Sequence, residues 1–557
     1  MKVLLVLIAL IPLYFFRSSY LEPYDLEYVL DHYYHSQWEI PNSPWGIGDD
    51  GLYQFSGYEI ARGRDPFTTS PEVPPVGKLI YGLSIQLFHN PYYVILPIYF
   101  LTLIAFYLLT KSKLAVFFLT TTPLFFTQLN STTLDLMQTC WLLLHVYAVF
   151  NKKTIMAGLS FGLFIGTKFG AFSLFLLLAD IYILSREHRL KSIVWIVLIG
   201  LGVYLASYYN HFLNGGNLLT WLKGQKWILN FYLTNQPKGT PFFIFITLIT
   251  GIWTNLKVAK EWTILWPAAI GSFLFLRRYS PQLKYYSIFV GGVILTLIFN
   301  YYWVRYLLLI LPFLIIFLVK FMSGKRLLLL TIAVVCFFNL IFYPYFELEK
   351  TKEEIKYAWE QSLYKDLYNY LPIDFQKLMT RKDFDQRAKS VDHELLYPTK
   401  TVSIIGDKVS ISYQTRDGLI NNLQPIKFVR ENGRYKMTWD WEFVTPVKLP
   451  EITHEPGLDG NNYWEDRPYI YVNPKKISAE EREVLLTNLA GVTKLSKEKI
   501  RILLFVRAKN DEPIPIGFIL TGNLNCKAAC TTQIKAAWLY NDFSCNGLPY
   551  VLSEKVI

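Results

Sequence analysis

Hydrophobic residues are concentrated in the first 344 positions, where long apolar runs alternate with short clusters of charged residues. Ile244–Ile252 and Leu307–Val319 are two such runs. A helix needs about 20 apolar residues to cross the hydrocarbon of a bilayer, and most of the runs reach or approach that length. The runs predict spans near residues 1–16, 92–110, 114–129, 134–150, 154–167, 169–184, 192–210, 262–276, 285–300, 303–320 and 326–344.

Basic clusters between the runs predict the side of the membrane on which each loop lies. They are Lys111–Lys113, Lys152-Lys153, Arg186–Lys191, Arg277-Arg278 and Lys320–Arg326. All of them are cytoplasmic, as the positive-inside rule requires, if the stretch 154–184 crosses twice and 240–256 does not cross. The N-terminus is then cytoplasmic and the chain after the last span is outside. If 240–256 crossed, that C-terminal block would be cytoplasmic instead.

Composition agrees with this pattern and affects how the net positive charge of the chain is interpreted. Of 557 residues, 52% are hydrophobic and only 18% are charged. A formal net charge of +12 would suit a nucleic-acid partner, but the Lys and Arg residues follow the loops, so we expect the bilayer and no nucleic acid. No small-residue cleavage site follows Met1–Phe16, so we expect a retained first helix.

The C-terminal block, 346–557, has the polar composition of a soluble domain. Helical spacing predicts helices over Leu348–Tyr370, where Ile355, Ala358, Leu363 and Leu367 form the apolar face, and over Asp374–Lys389. Alternating segments predict strands at Thr401–Ile405, Val409–Gln414, Ile426–Glu431 and Tyr435–Phe443, with a hairpin turn at Asn432-Gly433. The predicted fold class is therefore a polytopic α-helical membrane protein of about eleven spans, 1–345, followed by an extracytoplasmic α+β domain. Two of Cys526, Cys530 and Cys545 could form a disulfide there, which would leave one thiol free.

The first external loop, 17–91, contains the candidate chemistry. Asp49 and Asp50 are adjacent carboxylates, and keeping both ionised beside a membrane costs free energy unless a function uses them. The alternative is a solvated loop in which Asp49-Asp50-Gly51 is only a turn. A Gly-x-x-Pro segment at 63–66 and the segment Glu72-Val-Pro-Pro-Val-Gly-Lys78 follow, leading into an amphipathic stretch.

This loop resembles the first external loop of the GT-C glycosyltransferases, in particular protein O-mannosyltransferases and aminoarabinose transferases. Asp49-Asp50-x-x-Tyr53 is similar to the family's acidic motif, with Asp in place of Glu. The segment from Glu72 to Lys78 is similar to a His-Pro-Pro-Leu-Gly-Lys motif, although Val73 stands where the family often has His. The resemblance implies sugar transfer from a polyprenyl-phosphate donor, with Asp49 as the base and Asp50 as its partner.

An inverting transfer also needs positive charge near the leaving phosphate. Arg305 lies at the external mouth of a span, in an Arg-Tyr-Leu segment followed by Leu311-Pro312 that resembles the same family, and an Arg fork matches phosphate oxygens. Lys168 lies at a turn between two spans. Asp135 heads a span, where a carboxylate also favours a helix N-terminus. Snorkelling cations that only anchor helix ends are the alternative reading of Arg305 and Lys168.

The segment 432–446 resembles the end of the nuclear-transport-factor-like domain that precedes the transpeptidase in some penicillin-binding proteins. The resemblance covers about 350–446, and 447–557 is expected to be similar to their pedestal region. The Ser-x-x-Lys of the transpeptidase is missing, so no penicillin-type catalysis is implied. A structural cover and a domain that binds the acceptor or a wall polymer are both open.

No Gly-rich phosphate loop, zinc-binding His spacing or Gly-x-Ser-x-Gly elbow is present in the sequence. No cofactor can be inferred, and a divalent metal is left open. We therefore expect a cell-membrane glycosyltransferase that acts on a protein, lipid or wall-polymer acceptor. A transporter or flippase of lipid-linked precursors predicts ionisable groups within the spans, which the sequence does not suggest. A non-catalytic scaffold would leave Asp49 dispensable.

Overall fold

The computed structural model describes residues 2–40, 43, 46–168, 170, 172–234, 240–252, 259, 261–276, 280–300, 302–373, 376, 380–382, 384–385, 388, 400–405, 408–415, 418–439, 471–472, 501–509 and 512–521. Contacts divide the chain into two compact units. The first comprises Met1–Glu347 and Asn432–Arg434, and the second comprises Leu348–Glu431 and Tyr435–Ile557.

The first unit is helical. Its helices are α1 (Lys2–Phe15), α2 (Ser18–Leu21), α3 (Leu26–Tyr34), α4 (Asp49–Ala61), α5 (Pro75–Phe88), α6 (Ile95–Thr110), α7 (Lys113–Thr120), α8 (Pro123–Phe126), α9 (Asp135–Phe150), α10 (Thr154–Thr167), α11 (Phe172–Arg186), α12 (Lys191–Ala206), α13 (Tyr209–Leu213), α14 (Leu218–Thr234), α15 (Phe243–Thr250), α16 (Leu265–Phe275), α17 (Pro281–Phe299), α18 (Leu311–Phe321) and the start of α19 (Arg326–Glu360). Short 3-10 turns lie at Pro66–Thr68, Pro91–Val94, Thr127–Asn130 and Val304–Leu309.

The apolar helices indicate a multi-pass membrane protein. Among the described residues, three helical stretches are long and apolar enough to cross a bilayer, namely Pro91–Thr110, Pro281–Phe299 and Leu327–Glu360. Large side chains also point outward: on α12, Trp195 is 60% exposed and Leu198 is 54% exposed. Such a surface is unfavourable in water and compatible with hydrocarbon. The number of spans stays a prediction, because several other apolar helices are shorter.

Most predicted spans coincide with a helix, but the predicted continuous span 114–129 is wrong. α7 ends at Thr120 and α8 begins at Pro123, which has no N–H to continue the hydrogen bonding of α7. The Thr122 hydroxyl bonds back to the carbonyl of Phe118 at 2.6 Å and satisfies part of the interrupted helix end. The segments Pro123–Asn130 and Asp135–Phe150 then meet at a bend of 120°.

The predicted first external loop, 17–91, is largely helical. The alternative that Asp49-Asp50-Gly51 is a turn is wrong, because Asp49 and Asp50 form the first turn of α4. α4 crosses α5 at two glycines: a Cβ on Gly57 would lie 2.1 Å from the Lys78 carbonyl, and one on Gly82 would lie 1.9 Å from the Gly57 carbonyl. The two backbones therefore touch, and α4 has a fixed position against α5.

The polar region after residue 206 also contains a helix that the sequence pattern did not predict. α14 has an outer face of exposed apolar residues, including Leu222 and Leu233, and one fully buried position, Ile228. In the segment 240–256, the described helix α15 has eight residues, about 12 Å of helix, which is short for a span. Whether that segment crosses stays a prediction.

The second unit contains the end of α19, the helix α20 (Tyr364–Leu367), a 3-10 turn at Tyr368–Tyr370 and strands. The strands are β1 (Lys400–Ile405), β2 (Lys408–Thr415), β3 (Gly418–Glu431), β4 (Arg434–Trp439), β5 (Tyr471–Val472), β6 (Arg501–Lys509) and β7 (Glu512–Thr521). They form one sheet in the order β1-β2-β3-β4 and a second in the order β5-β6-β7. β4 begins within the short segment that clusters with the first unit.

The four strands predicted within 401–443 overlap β1 to β4, and the predicted hairpin is confirmed. β3 is longer than predicted, because it begins at Gly418 and not at Ile426, and residues 440–443 of the last predicted strand lie outside the described residues. Asn432 and Gly433 both have positive φ, 48° and 93°, which a type I′ turn requires. The predicted apolar face is buried, with Ile355 and Leu367 at 0% exposure. The span predicted near 326–344 and the start of the helix predicted over Leu348–Tyr370 belong to one helix, because α19 runs without interruption from Arg326 to Glu360. The three C-terminal cysteines and most of 374–399 lie outside the described residues.

Candidate functional site

Charged side chains from separate helix ends meet at one place in the first unit. Asp49 begins α4, Asp135 begins α9, Lys168 follows α10, and Arg305 lies in the 3-10 turn that precedes α18. Carboxylates in a first helical turn are stabilised by the partial positive charge of the unpaired N–H groups. The candidates that the sequence placed in four separate segments are thus brought together by the fold.

Arg305 is the centre of this cluster. One terminal nitrogen of its guanidinium forms an ion pair with the Asp49 carboxylate, and its Nε lies 3.3 Å from Asp135 Oδ2. The second contact lacks hydrogen-bond geometry, so Arg305 Nε and Asp135 Oδ2 are buried atoms without a hydrogen-bond partner among the described residues. The guanidinium also lies 5.2 Å from the ring centre of Trp303, within cation–π range.

Lys168 supplies the second positive charge. Its Nζ donates to Asp135 Oδ1 at 2.8 Å and lies 3.9 Å from the ring centre of Tyr306. Gln138 Nε2 donates to the Lys168 carbonyl at 2.8 Å and holds the backbone at the end of α10. Asp135 is 1% exposed and is shared by both cations. This buried carboxylate is therefore held between an arginine and a lysine.

Asp50 lies beside this cluster in a different environment. Its Oδ1 accepts hydrogen bonds from the hydroxyls of Ser131 at 2.9 Å and Thr132 at 3.2 Å. Burial raises the pKa of this carboxyl above its usual value, although the two hydroxyls and the charge of Arg305 act in the opposite direction. Asp49 pairs with a cation, whereas Asp50 is held by neutral donors. The pair is therefore chemically asymmetric.

The sequon at Asn130-Ser131-Thr132 is part of this structure. Thr132 is fully buried and donates to both the carbonyl and the carboxyl group of Asp50, and it accepts from Gln54 Nε2 at 2.8 Å. These contacts give the segment a structural role at the bend between Pro123–Asn130 and α9.

The segment from Glu72 to Lys78 positions the cluster from the α5 side. A Cβ on Gly77 would lie 2.5 Å from Leu134 Cδ2 and 3.0 Å from Thr167 Cγ2, and Leu134 and Thr167 directly precede Asp135 and Lys168. The glycine of the predicted motif therefore permits α5 to contact both helix ends that carry charges. Its function is close packing.

Lys78 and Glu72 form no ion pair with the cluster among the described residues. Lys78 is fully buried, and its Nζ donates to the Ser70 carbonyl at 2.7 Å. Burial lowers the pKa of Lys78 to about 8, against the charge of Glu72. Glu72 Oε1 accepts a hydrogen bond from the Ser70 hydroxyl at 2.6 Å. The structure places these two candidates at a second polar group around Ser70.

Two buried tyrosines lie within electrostatic range of both polar groups. Tyr53 is 4% exposed, and burial raises its pKa well above the usual value, with the charges of Asp49 and Glu72 adding to the effect. The pKa of Tyr232 on α14 is raised by burial and by the same two carboxylates. Sequence reasoning missed Tyr232, because nothing in the pattern of 210–240 predicted that a helix there packs near the first loop.

A second buried network lies within the apolar helices, where the sequence suggested no ionisable groups. His145 on α9 contacts Asp180 Oδ2 on α11 at 2.9 Å, and Tyr285 on α17 donates to Asp180 Oδ1 at 2.8 Å. His145 Nδ1 lies 2.9 Å from the Ala157 carbonyl, which can only accept, so Nδ1 carries a proton. One further proton is shared between Nε2 and the carboxyl group. A lone Asp and a lone His inside two apolar runs were the signal for this network.

Among the described residues, no group of three or more His, Cys, Asp or Glu side chains is placed to bind a metal ion. The charged cluster contains two carboxylates, Asp49 and Asp135, and two cations. Its chemistry therefore suits an anion that competes for Arg305 and Lys168.

Comparison with known proteins gives one similarity. No family model matches the sequence, and no curated protein matches it. Among solved structures, the chain is similar to the crystal structure of ArnT from Cupriavidus metallidurans in the apo state, with 15% sequence identity and a TM-score of 0.39. The match covers 51% of this chain and 57% of that chain, so the chain spans little more than half the length of that structure. A similarity of this degree carries no argument about activity, and the function rests on the geometry of the site.

Proposed function

We propose that the protein is a membrane glycosyltransferase that moves a sugar from a polyprenyl-phosphate donor to an acceptor on the extracytoplasmic side. The observation that carries the proposal is the contact of Arg305 with Asp49 and Asp135, together with the bond from Lys168 to Asp135. In this arrangement Arg305 contacts Asp49, whose side chain is 37% exposed, and Asp135 links Arg305 to Lys168. The reaction needs a carboxylate and positive charge side by side.

The donor binds by competing with Asp49 and Asp135 for Arg305 and Lys168. The donor is a phosphodiester with one negative charge, and it offers oxygens to the Arg305 fork and to Lys168. Arg305 Nε lacks a hydrogen-bond partner among the described residues, so a phosphate oxygen there adds a bond without removing one. As the guanidinium turns toward the phosphate, Asp49 is released. A free carboxylate can then accept a proton.

The transfer step is a single displacement. The acceptor hydroxyl attacks the anomeric carbon, its proton passes to an Asp49 carboxylate oxygen, and the bond from the anomeric carbon to the phosphate oxygen breaks. Polyprenyl phosphate leaves with two negative charges, which Arg305 and Lys168 stabilise. Attack from the face opposite the leaving group inverts the anomeric configuration. Asp135 acts as a positioning residue, because it holds both cations on one side.

Asp49→Asn and Asp50→Asn test the assignment as a matched pair. Purified protein is given a panel of polyprenyl-phosphate sugars, and transfer is measured at saturating donor. Loss of a general base lowers the rate by roughly 10²- to 10⁴-fold, so this loss is expected for Asp49→Asn. Asp50→Asn keeps an oxygen that accepts from Ser131 and Thr132, so it retains most of the activity. Equal rates for wild type and Asp49→Asn would remove the base role.

The remaining parts of the proposal concern partners and location. The acceptor is a protein, lipid or wall polymer of the cell envelope, and the second unit lies on the same side of the membrane as Asp49. No cofactor is required by the step described above, and a divalent cation is a further variable for the transfer assay. Cysteine-accessibility labelling at the start of α4 tests the location, and labelling only from the cytoplasm contradicts it.

A transporter of lipid-linked precursors is the second candidate, and one observation favours it. His145 and Asp180 are fully buried within apolar helices, and ionisable groups at such positions often serve transport or proton transfer. Reconstituted vesicles distinguish the two functions. A transporter moves a labelled polyprenyl-phosphate sugar across the bilayer without an acceptor and loses this activity in Asp180→Asn. The proposed transferase does not move the lipid across the bilayer, so Asp180→Asn has no such activity to lose.

A further inference from the structure

Two buried polar atoms next to the site have no hydrogen-bond partner among the described residues. Glu72 is 7% exposed, and its Oε2 makes no hydrogen bond to any described residue, although Oε1 accepts from Ser70. Thr69 is 1% exposed, and its Oγ1 is likewise without a partner in the described part of the chain. Buried polar groups are nearly always hydrogen-bonded, because an unpaired one costs the desolvation of that group. Two such atoms within four residues therefore need an explanation.

The backbone around them is held in place. Ser70 has a φ of +49°, a left-handed conformation that non-glycine residues rarely adopt. Its carbonyl accepts from Lys78 Nζ at 2.7 Å, and its hydroxyl donates to Glu72 Oε1 at 2.6 Å. A strained residue with both polar groups fixed is typical of functional sites. The bonds to Ser70 orient Glu72 but leave Oε2 unused.

Direct contacts connect Glu72 to the charged cluster. Ser70, which donates to Glu72, accepts from Lys78, and the neighbouring Gly77 packs against the residues that directly precede Asp135 and Lys168. Its charge and that of Asp49 act on the same two phenols, Tyr53 and Tyr232, and raise the pKa of both after the larger effect of burial. These tyrosines therefore lie within electrostatic range of both carboxylates. Binding sites for small molecules combine aromatic walls with a few fixed polar groups, as this region does.

We propose that Thr69 and Glu72 form the subsite that binds the hydroxyl groups of the transferred sugar. The inference rests on the proposed function and adds recognition of the sugar, which is the part of the donor that Arg305 and Lys168 do not bind. Glu72 Oε2 is a hydrogen-bond acceptor, so it needs a donor, and a sugar hydroxyl supplies one. Thr69 can donate to a sugar oxygen or accept from a second hydroxyl. A site whose buried polar groups bond to a ligand hydroxyl discriminates against ligands that lack this hydroxyl, because the buried groups then stay unpaired.

Lipid binding separates the sugar subsite from the phosphate site. The probes are undecaprenyl phosphate and its esters with glucose, galactose, mannose and N-acetylglucosamine, and affinity is measured for each with the purified full chain. For wild type, at least one sugar ester binds more tightly than undecaprenyl phosphate itself. Glu72→Gln and Thr69→Val reduce this gain by roughly 10-fold or more, since each removes one hydrogen bond that a buried group makes to the sugar.

The variants keep the shape of the site and have a matched control. Gln is nearly isosteric with Glu and can still accept from Ser70, and Val replaces a hydroxyl that bonds to no described residue, so Thr69→Val is expected to leave the unfolding temperature unchanged. Thr102→Val is the control: Thr102 is also fully buried, but its hydroxyl bonds to the Ile98 carbonyl of its own helix at 2.6 Å. It is expected to leave every affinity unchanged.

The outcomes distinguish this inference from the proposed function. Undecaprenyl phosphate binds wild type, Glu72→Gln and Thr69→Val equally if the phosphate site is as proposed and the variants are folded. A sugar-dependent gain that survives in both variants overturns the subsite and leaves the phosphate site standing. Absence of binding for all lipids to wild type overturns both. A gain lost only in the two variants supports the subsite.

Discussion

Arg305 and Asp49 form a direct ion pair although 256 positions separate them in the sequence. Asp49 begins the first helix turn of α4, and Arg305 lies in the turn before α18. The pair joins the first external loop to one of the last helices of the first unit. Asp135 and Lys168 then complete a network in which each carboxylate contacts Arg305 and the lysine forms its ion pair with Asp135.

Two substitutions of Arg305 separate the contribution of its planar guanidinium from the contribution of its charge. Arg305→Gln leaves Asp49 without its cation and Asp135 with Lys168 alone, so we expect at least a 10-fold loss of undecaprenyl phosphate affinity, as for a charge-assisted hydrogen bond. Arg305→Lys keeps the charge but loses the planar fork, and an intermediate affinity is expected. Arg62→Gln is the control, because the Arg62 side chain is 59% exposed and its contact with Glu59 is 3.8 Å long. An Arg305→Gln affinity equal to that of wild type would contradict a phosphate site here.

The glycine crossing between α4 and α5 predicts a large effect from one methyl group. Gly57→Ala places a Cβ against the Lys78 carbonyl, so α4 must move, and overpacking of this kind costs about 3 kcal/mol. The shift also displaces Asp49, and transfer is expected to fall by roughly 100-fold. Gly202→Ala on α12 is the control, because no atom lies within 4 Å of the added Cβ. Unfolding temperature and transfer rate are measured on both variants, and similar results for the two would refute the close crossing.

Lys78 predicts a dependence of stability on pH. Its pKa is lowered from 10.5 to about 8 in the folded protein. Between these values the unfolded chain holds a proton on Lys78 that the folded chain does not, so stability rises with pH across this window. Below pH 8, Lys78 is charged in the folded protein, and the full free-energy cost of burying this charge lowers the stability. Relative to Lys78→Met, the wild type is expected to gain about 3 kcal/mol between pH 8 and 10.5. Unfolding of both proteins across this range measures it, and a constant difference would contradict a buried charged Lys78.

The buried network at Asp180 predicts a stability effect without loss of transfer. Tyr285→Phe removes the hydroxyl that donates to Asp180 Oδ1, and a loss of roughly 1 to 2 kcal/mol is expected. Tyr286→Phe is the neighbouring control, because the Tyr286 ring packs on Phe313 at 5.0 Å and keeps this contact without its hydroxyl. Transfer by Tyr285→Phe stays close to wild type if the network is structural. A large loss of transfer at unchanged stability would indicate a role in function instead.

The sequence predicted the residues of the charged cluster but not their contacts. Asp49 was found as one of two adjacent carboxylates in a polar loop that resembles a known family, and Asp135 and Arg305 were found as charged residues at the ends of apolar runs. Which of them touch depends on helix crossing angles, and these depend on contacts such as Gly57 against Lys78. The same limit explains why Glu72 and Lys78, adjacent in the predicted motif, lie at a different polar group around Ser70.

Local patterns were reliable where a structure is determined locally. The Asn432-Gly433 turn was predicted because positive φ at two consecutive positions favours these residues, and the turn is present. The helix α14 and the network of His145 and Asp180 were not predicted, because each is stabilised by residues distant in sequence. His145 and Asp180 are 35 positions apart and Tyr285 is 105 positions from Asp180.

The order of synthesis gives the bond between Lys168 and Asp135 a further consequence. Lys168 follows Asp135 by 33 positions, whereas Arg305 follows Asp49 by 256. At a translation rate of about 5 to 20 residues per second, Arg305 leaves the ribosome roughly 13 to 50 seconds after Asp49. During membrane insertion, Lys168 is therefore the early counter-ion that neutralises Asp135, and Asp49 stays without its arginine. The nascent chain is protected from an uncompensated charge at α9 long before Arg305 is synthesised.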